Sequence, residues 1–359
     1  MTTGTVSPPA PVRPRAAGLR FRWVFVCAAL LLVAVVAGVA IGPVSLPLPN
    51  VALSLMNHLP GVDLDTGLSD TQNAIVWKLR LPRVLLALLV GAMLAMAGGC
   101  YQGVFRNPLA DPTLLGVSAG AGLGATVFII ARARGLAADP HLLPLASFIG
   151  GLAALAATYM LGTSGGKRRR GTVTLVLAGV AVSSFLTAIQ TFVQQRNIDT
   201  IESVYSWLLG RISLADWDDV YLLLPYAAIT LVVVLIRRRE LDVLSVGDDE
   251  ATALGLHPQS VRFILLSVAS LATAAAVSVS GLIGFVGIVV PHIVRLLAGR
   301  SYRSILPLSM LVGAIFLIVA DLAARTVVAP AELPIGVVTA FVGAPFFILV
   351  MRTSNEATP

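Results

Sequence analysis

The sequence predicts an all-α integral membrane protein of about ten transmembrane helices. Three observations carry that expectation. The chain is 57% hydrophobic and only 12% charged, whereas a soluble domain carries roughly 25% charged residues, and its mean hydropathy is +0.89. Its apolar runs are long enough for helices that cross a bilayer, not for barrel strands. Its positive charge is shared unevenly between the two sets of connecting loops, as the positive-inside bias requires.

Residues 1–21 are polar and rich in Pro and Arg, and are expected to form a disordered cytoplasmic tail. A transmembrane domain over 22–352 follows. The first span runs from Trp23 to Ile41. A cleaved signal is the alternative, because Val36-Ala-Gly-Val-Ala40 looks like a small-residue cleavage site. A signal core is about 7–15 residues long, and this run is longer, which favours an anchor. Residues 43–77 form an outer segment with Pro, Gly and several Asp. Further spans are read at about Val84–Val104, Leu114–Ile130, Leu143–Leu161, Val173–Val193, Val220–Ile236, Phe263–Val279, Leu282–Leu297, Ile305–Ala324 and Ile335–Met351. Residues 196–219, with Trp207 and Trp217, suit an interfacial helix and loop. Residues 353–359 form a second tail.

Ten spans put both tails on one side. Of the 25 Lys and Arg residues, 17 fall on that side, among them Arg106, Lys167-Arg-Arg-Arg170, Arg237-Arg-Arg239 and Arg262. The other 8 include Arg80, Arg83 and Arg325. The bias places both tails in the cytoplasm. The same bias accounts for the net charge of +7 without invoking nucleic acid. Glycines and alanines that let helices approach closely crowd several spans: Gly91, Ala95, Gly98 and Gly99; Gly120 and Gly124; Gly281, Gly284 and Gly287.

Several chemistries find no support. Cys27 and Cys100 lie inside apolar runs and read as buried thiols. The four histidines, His58, His141, His257 and His292, lack ligand spacing, so no metal site is expected. Gly162-Thr-Ser-Gly-Gly-Lys-Arg168 superficially resembles a phosphate loop, but its spacing fails. Its Lys167 is followed by Arg where Ser or Thr would hold Mg²⁺. No Ser/His/Asp or Cys/His set converges, and the chain is not expected to hydrolyse ATP itself.

A polar interruption at Arg237–Arg262 separates two apolar runs, with a cytoplasmic loop read over 240–262. It has three arginines, an acidic Gly247-Asp-Asp-Glu250 turn, a short Ala/Leu helix and a stop at Gly255. It is long enough to fold into a helical knob that a soluble partner grips; a solvated connector is the plainer reading. Asp248 and Asp249 suit the positive N-terminus of such a helix, Gly247 permits the turn into it, and Gly255 ends it.

A resemblance enters at Arg80-Leu-Pro-Arg83, Gln102-Gly-Val-Phe-Arg-Asn-Pro-Leu-Ala-Asp-Pro112 and Leu114-Leu-Gly-Val-Ser118. It continues at Gly281-Leu-Ile-Gly-Phe-Val-Gly-Ile-Val-Val-Pro-His-Ile-Val-Arg295, Ala320-Asp-Leu-Ala-Ala-Arg325, Ala331-Glu-Leu-Pro-Ile-Gly-Val-Val-Thr-Ala340 and Gly343-Ala-Pro-Phe-Phe347. Over about residues 20–352 the chain resembles the FecCD family, the permeases of ABC importers for iron-siderophores, haem and cobalamin. That resemblance implies type II ABC importer permease architecture, with ten helices per subunit. It also implies a second permease subunit (homodimer or close heterodimer), two ABC ATPase subunits inside and a substrate-binding protein outside, all in a bacterial cell membrane. No cofactor is then bound by this chain; ATP and Mg²⁺ are used by the ATPase partner. The loop holding Gly247, Asp248, Asp249, Glu250, Ala251, Leu254 and Gly255 would dock on the ATPase. Glu250 stands where the family more often has a small residue.

The resemblance also implies that Arg80, Arg83 and Arg325 receive glutamates from the binding protein. Snorkelling from helix ends is the plainer reading of these arginines, and Asp321 lies i, i+4 from Arg325. The fifth span would line the pathway, with Thr172 and Val173 at an inner gate, although Val173 is apolar where a hydroxyl can occur. Ser183, Ser184 and Thr187 read more simply as helix–helix contacts. Iron(III)-siderophore is the expected substrate, with haem and cobalamin as alternatives. Two other classes remain. An ion-coupled secondary transporter would need buried ionisable residues, for which Asp321 with Arg325 is the candidate. A membrane-embedded enzyme would need a catalytic set that is not visible.

Overall fold

The computed structural model describes residues 21–42, 44, 46–57, 65–137, 139–163 and 172–355. The N-terminal tail up to residue 20, the Lys167–Arg170 cluster, His58 and the last four residues lie outside that set. All ten expected spans are present. Among the described residues, seven helices are long and apolar enough to cross a membrane, and three shorter apolar helices complete the set. No strand occurs among the described residues.

In chain order the helices are α1 (Phe21–Ala40), α2 (Leu48–Met56), α3 (Asp70–Ala74), α4 (Leu81–Phe105), α5 (Val117–Ala133), α6 (Leu143–Thr163), α7 (Thr172–Gln195), α8 (Ile201–Leu208), α9 (Trp217–Leu244), α10 (Asp248–Ala253), α11 (Pro258–Ser280), α12 (Val286–Ala298), α13 (Tyr302–Thr326) and α14 (Ile335–Asn355). Local chemistry sets several of their ends. Ser69 and Gln72 form a reciprocal capping box on α3, satisfying two donors that a helix start leaves open. Asp216 caps α9 by accepting from the Asp219 N–H at 3.0 Å. Pro258 opens α11, where its missing N–H costs nothing.

Helices overrun the apolar stretches. α9 continues through Arg237–Glu240 to Leu244, and α11 begins at Pro258, so the loop expected over 240–262 contracts to the residues around α10. α14 likewise runs through 353–355, part of the expected tail. The outer segment holds α2 and α3, and a π-helical stretch, Ile75–Arg80, joins α3 to α4. Trp77 donates to Ser54 at 3.1 Å and its carbonyl accepts from the Trp217 indole at 2.9 Å, tying this segment to α9.

α12 is too short to cross alone. Its 13 residues rise about 20 Å against a hydrocarbon core of about 30 Å. The chain reaches α12 through the non-helical residues 281–285. Such backbone is tolerated at membrane depth only when buried in protein or lining a water-filled cavity. Here the Ser280 carbonyl accepts from the Arg211 N–H at 2.8 Å, and Gly281 takes φ +71° while lying against Trp207 and Gly210.

α4 is the buried hub. A Cβ on Gly91 would strike the Gly313 carbonyl, and one on Gly98 would strike the Gly287 backbone. Gly120 and Gly124 meet Gly150 and Ala146 in the same way, sealing α5 to α6. Gly284 is the exception among the expected packing glycines, with open space around it. Cys27 and Cys100 are both free and buried.

The bundle has two poles. α1 ends, and α4, α9 and α14 begin, at the pole that holds Arg83. α4 and α9 end, and α11 and α13 begin, at the pole that holds α10. Both α1 and α14 therefore have their far ends at the α10 pole.

Candidate coupling and docking surfaces

α10 is built as a clamped knob. Its first residue, Asp248, accepts both Arg262 terminal nitrogens, at 2.8 and 2.5 Å, and also Arg106 Nη2. Arg106 follows the last residue of α4 in the left-handed region, at φ +51°. From there its Nε also donates to the Leu244 carbonyl at 2.7 Å. The carboxylate thus ties the knob to the ends of α4 and α11, and Arg106 carries the link on to the end of α9. The Arg262 guanidinium, and then that of Arg106, holds the Asp248 carboxyl below the usual carboxylate range.

Ala251 is fully buried under the knob. Its carbonyl accepts from Leu256 N–H and that of Thr252 from Gly255 N–H, at 3.0 and 2.9 Å, the pair of bonds that closes a helix on a left-handed glycine. Gly255 has φ +83°. Gly247 differs from expectation, because its φ of 166° is extended backbone open to any residue. Asp249 and Glu250 face solvent. Val246 and Leu254 are 69% and 70% exposed, one apolar residue at either end of the charged knob. Asp242 seats the neighbouring helix by accepting from Ser301 Oγ at 2.8 Å and Tyr302 N–H at 2.6 Å.

The arginines at the other pole are placed differently from expectation. Arg80 and Arg325 are buried, at 6% and 3% exposure, and do not face outward. Arg80 Nη1 donates to the Val39 and Ala40 carbonyls at 2.9 and 2.7 Å, and its Nη2 donates to Val44. Arg325 Nη2 donates to Gly38 at 2.5 Å. Together with the Ile41 N–H on Ala37, they satisfy the last four carbonyls of α1, where cations are also favoured by the helix dipole. Of these three arginines Arg83 is the least buried, with its side chain 12% exposed. It grips buried Asp321 at 2.8 Å and half-exposed Glu332 at 3.0 Å, while Arg325 Nε lies 3.5 Å from Asp321.

Between the poles, α7 is the most exposed of the long spans. A cavity of about 570 Å³ runs beside it, lined by Ser118, Ser183, Thr187, Gln190, Thr191 and Gln194 among others, with no charged side chain on its walls. Ser184 and Thr187 are exposed on this side rather than pressed between helices, and the Ser184 hydroxyl is satisfied by its own Val180 carbonyl at 2.9 Å. Val173 is 73% exposed at the start of α7; the Thr172 side chain lies outside the described residues.

Sequence reasoning missed Arg106, Arg262 and Glu332 as working side chains. Arg106 and Glu332 sit inside the quoted motifs. Arg262, 14 residues beyond Asp248, gives no local signal.

A ten-span helical bundle with a clamped knob at one pole and an uncharged groove along an exposed helix fits a multi-pass membrane transport subunit. The chain belongs to the FecCD transport family, whose pattern it matches over residues 30–353, and is an ABC importer permease of that family. It is 40% identical to the cobalamin import system permease protein BtuC of Halobacterium salinarum, over 87% of this chain and 82% of that one. It is also 40% identical to the Fe(3+)-citrate import system permease protein YfmD of Bacillus subtilis, over 79% and 83%. Among solved structures it resembles an ABC transporter assigned to the metal-chelate type, in an inward-facing conformation. The TM-score is 0.79 at 30% identity, covering 92% of this chain and 99% of the other.

Proposed function

We propose that the chain is the membrane-spanning permease subunit of an ATP-driven importer for iron(III)-siderophore complexes. In this reading the α10 pole faces the cytoplasm of a bacterial cell, and both chain ends lie on that side. Two permease subunits pair along the exposed faces of α7, as a homodimer or a close heterodimer. Two ABC ATPase subunits grip the α10 knobs, and ATP with Mg²⁺ is consumed there. A substrate-binding protein delivers cargo at the Arg83 pole.

The observation that carries this reading is the pair of exposed apolar residues, Val246 and Leu254, on a knob that Asp248 clamps to Arg106 and Arg262. A nucleotide cycle can shift the permease only through contacts that differ between its states. A loosely tethered loop would absorb that push; a helix tied to three spans transmits it. The groove beside α7 suits cargo that must pass without being retained, because hydroxyls and amides offer weak contacts and no fixed charge. Thr172 and Val173 start the helix at its cytoplasmic end and form the gate in this reading.

Cobalamin import is the second reading, favoured by the cobalamin relative, which is as similar as the citrate one; haem is a third cargo of the same class. Ion coupling is disfavoured, because Asp321 is already held between Arg83 and Arg325.

Leu254→Asp places a charge at one exposed end of the knob without touching the clamp. It is expected to insert normally, yet lose co-purification with the ATPase and nucleotide-dependent uptake. Unchanged co-purification and uptake would reject the reading.

A further inference from the structure

A small cavity of about 190 Å³ at the Arg83 pole is lined by Arg83, Arg211, Ser206, Ser213, Asp321 and Glu332 among others. It is smaller than the roughly 300–1,000 Å³ of a small-molecule site and suits one acidic side chain. Arg83 divides its donors between two unlike carboxylates. Its Nε and Nη2 hold Asp321, whose side chain is 2% exposed. Its Nη1 holds Glu332, whose side chain is 36% exposed. Asp321 cannot leave, because Arg83 and buried Arg325 both depend on it. Glu332 can swing into water and leave Arg83 Nη1 open. Arg211 stands on the same wall, exposed and without an ion pair among the described residues. With Glu332 swung away, the cavity keeps two arginines, Arg83 and Arg211, against the single buried carboxylate of Asp321, an arrangement that favours one further anion.

We propose that Glu332 is an intramolecular stand-in for a carboxylate of the docking partner. An incoming Asp or Glu side chain displaces Glu332 from Arg83 Nη1, and Arg211 completes the socket. The inference rests on the docking reading above and deepens it by naming the socket. Docking becomes an exchange of one ion pair for another, so Glu332 weakens it by competition and keeps Arg83 paired when the partner is absent.

The test is the Kd of the cognate binding protein for the permease–ATPase complex in nanodiscs, at low and high salt. Glu332→Gln is expected to tighten binding about two- to fivefold at low salt, with the gain lost near 1 M salt as screening shortens to about 3 Å. Arg211→Ala is expected to weaken it by a similar factor. In an Arg83→Ala background, Glu332→Gln should change nothing. Glu202→Gln on α8, which removes the same charge from an exposed site at the same pole, should also change nothing. Unchanged or weaker binding by Glu332→Gln overturns the stand-in role. So does an equal gain in the Arg83→Ala background or from Glu202→Gln. Unchanged binding by Arg211→Ala removes Arg211 from the socket. Absence of binding by the wild-type complex would instead defeat the docking reading itself.

Discussion

Asp248 accepts from two arginines that arrive from different helices, and its value is positional more than energetic. Its side chain is 46% exposed, and exposed pairs are each worth about 0.2–1 kcal/mol. Asp248→Asn should therefore lower thermal stability only slightly, while loosening α10 and reducing uptake per ATP hydrolysed. The pH dependence has a definite sign. The Asp248 carboxyl is depressed by Arg262 and Arg106, so the clamp's contribution is complete above the ordinary carboxylate value of 3.8. It is lost as pH falls through the lower folded value. Hydrogen exchange of α10 should be equally protected at pH 5 and pH 8 in the wild type, once corrected for intrinsic rate. It should be faster in Asp248→Asn at both. Equal protection in wild type and variant would show that the clamp does not hold the knob.

At the scale of elements, small residues decide which helices meet. Gly91 and Gly313 bring the backbones of α4 and α13 together, and a Cβ on either would overlap the other's carbonyl. Gly91→Val should push the two helices apart, costing about 1–3 kcal/mol and lowering the Tm in detergent by several degrees. Gly284→Ala, in open space, should leave Tm unchanged; equal losses would mean that close approach is not what Gly91 supplies. All ten spans were legible in the sequence because a bilayer imposes a length and a polarity that any apolar run reveals. The knob was legible because acidic residues and a final glycine mark a short helix between two oily stretches. The partners of its side chains were not legible. Arg106 and Asp248 are 142 residues apart, and no local pattern brings them together. The burial of Arg80 and Arg325 was hidden for the same reason. Their acceptors are the last carbonyls of α1, and main-chain acceptors carry no sequence signature.

At the scale of the whole molecule, the two poles divide the labour. One holds a knob clamped by Asp248; the other holds a cluster of Arg83 with Asp321 and Glu332; an uncharged groove lies between. In the proposed reading the cycle is driven from the α10 pole, by the nucleotide cycle of the ATPase partner. The direct measurement is uptake of labelled iron(III)-siderophore into proteoliposomes that hold this chain and its ATPase, with the cognate binding protein outside. Accumulation should require ATP on the α10 side and vanish when the ATPase is omitted, whatever ion gradient is imposed. Accumulation by this chain alone under a proton or sodium gradient, with no nucleotide supplied, would contradict the account.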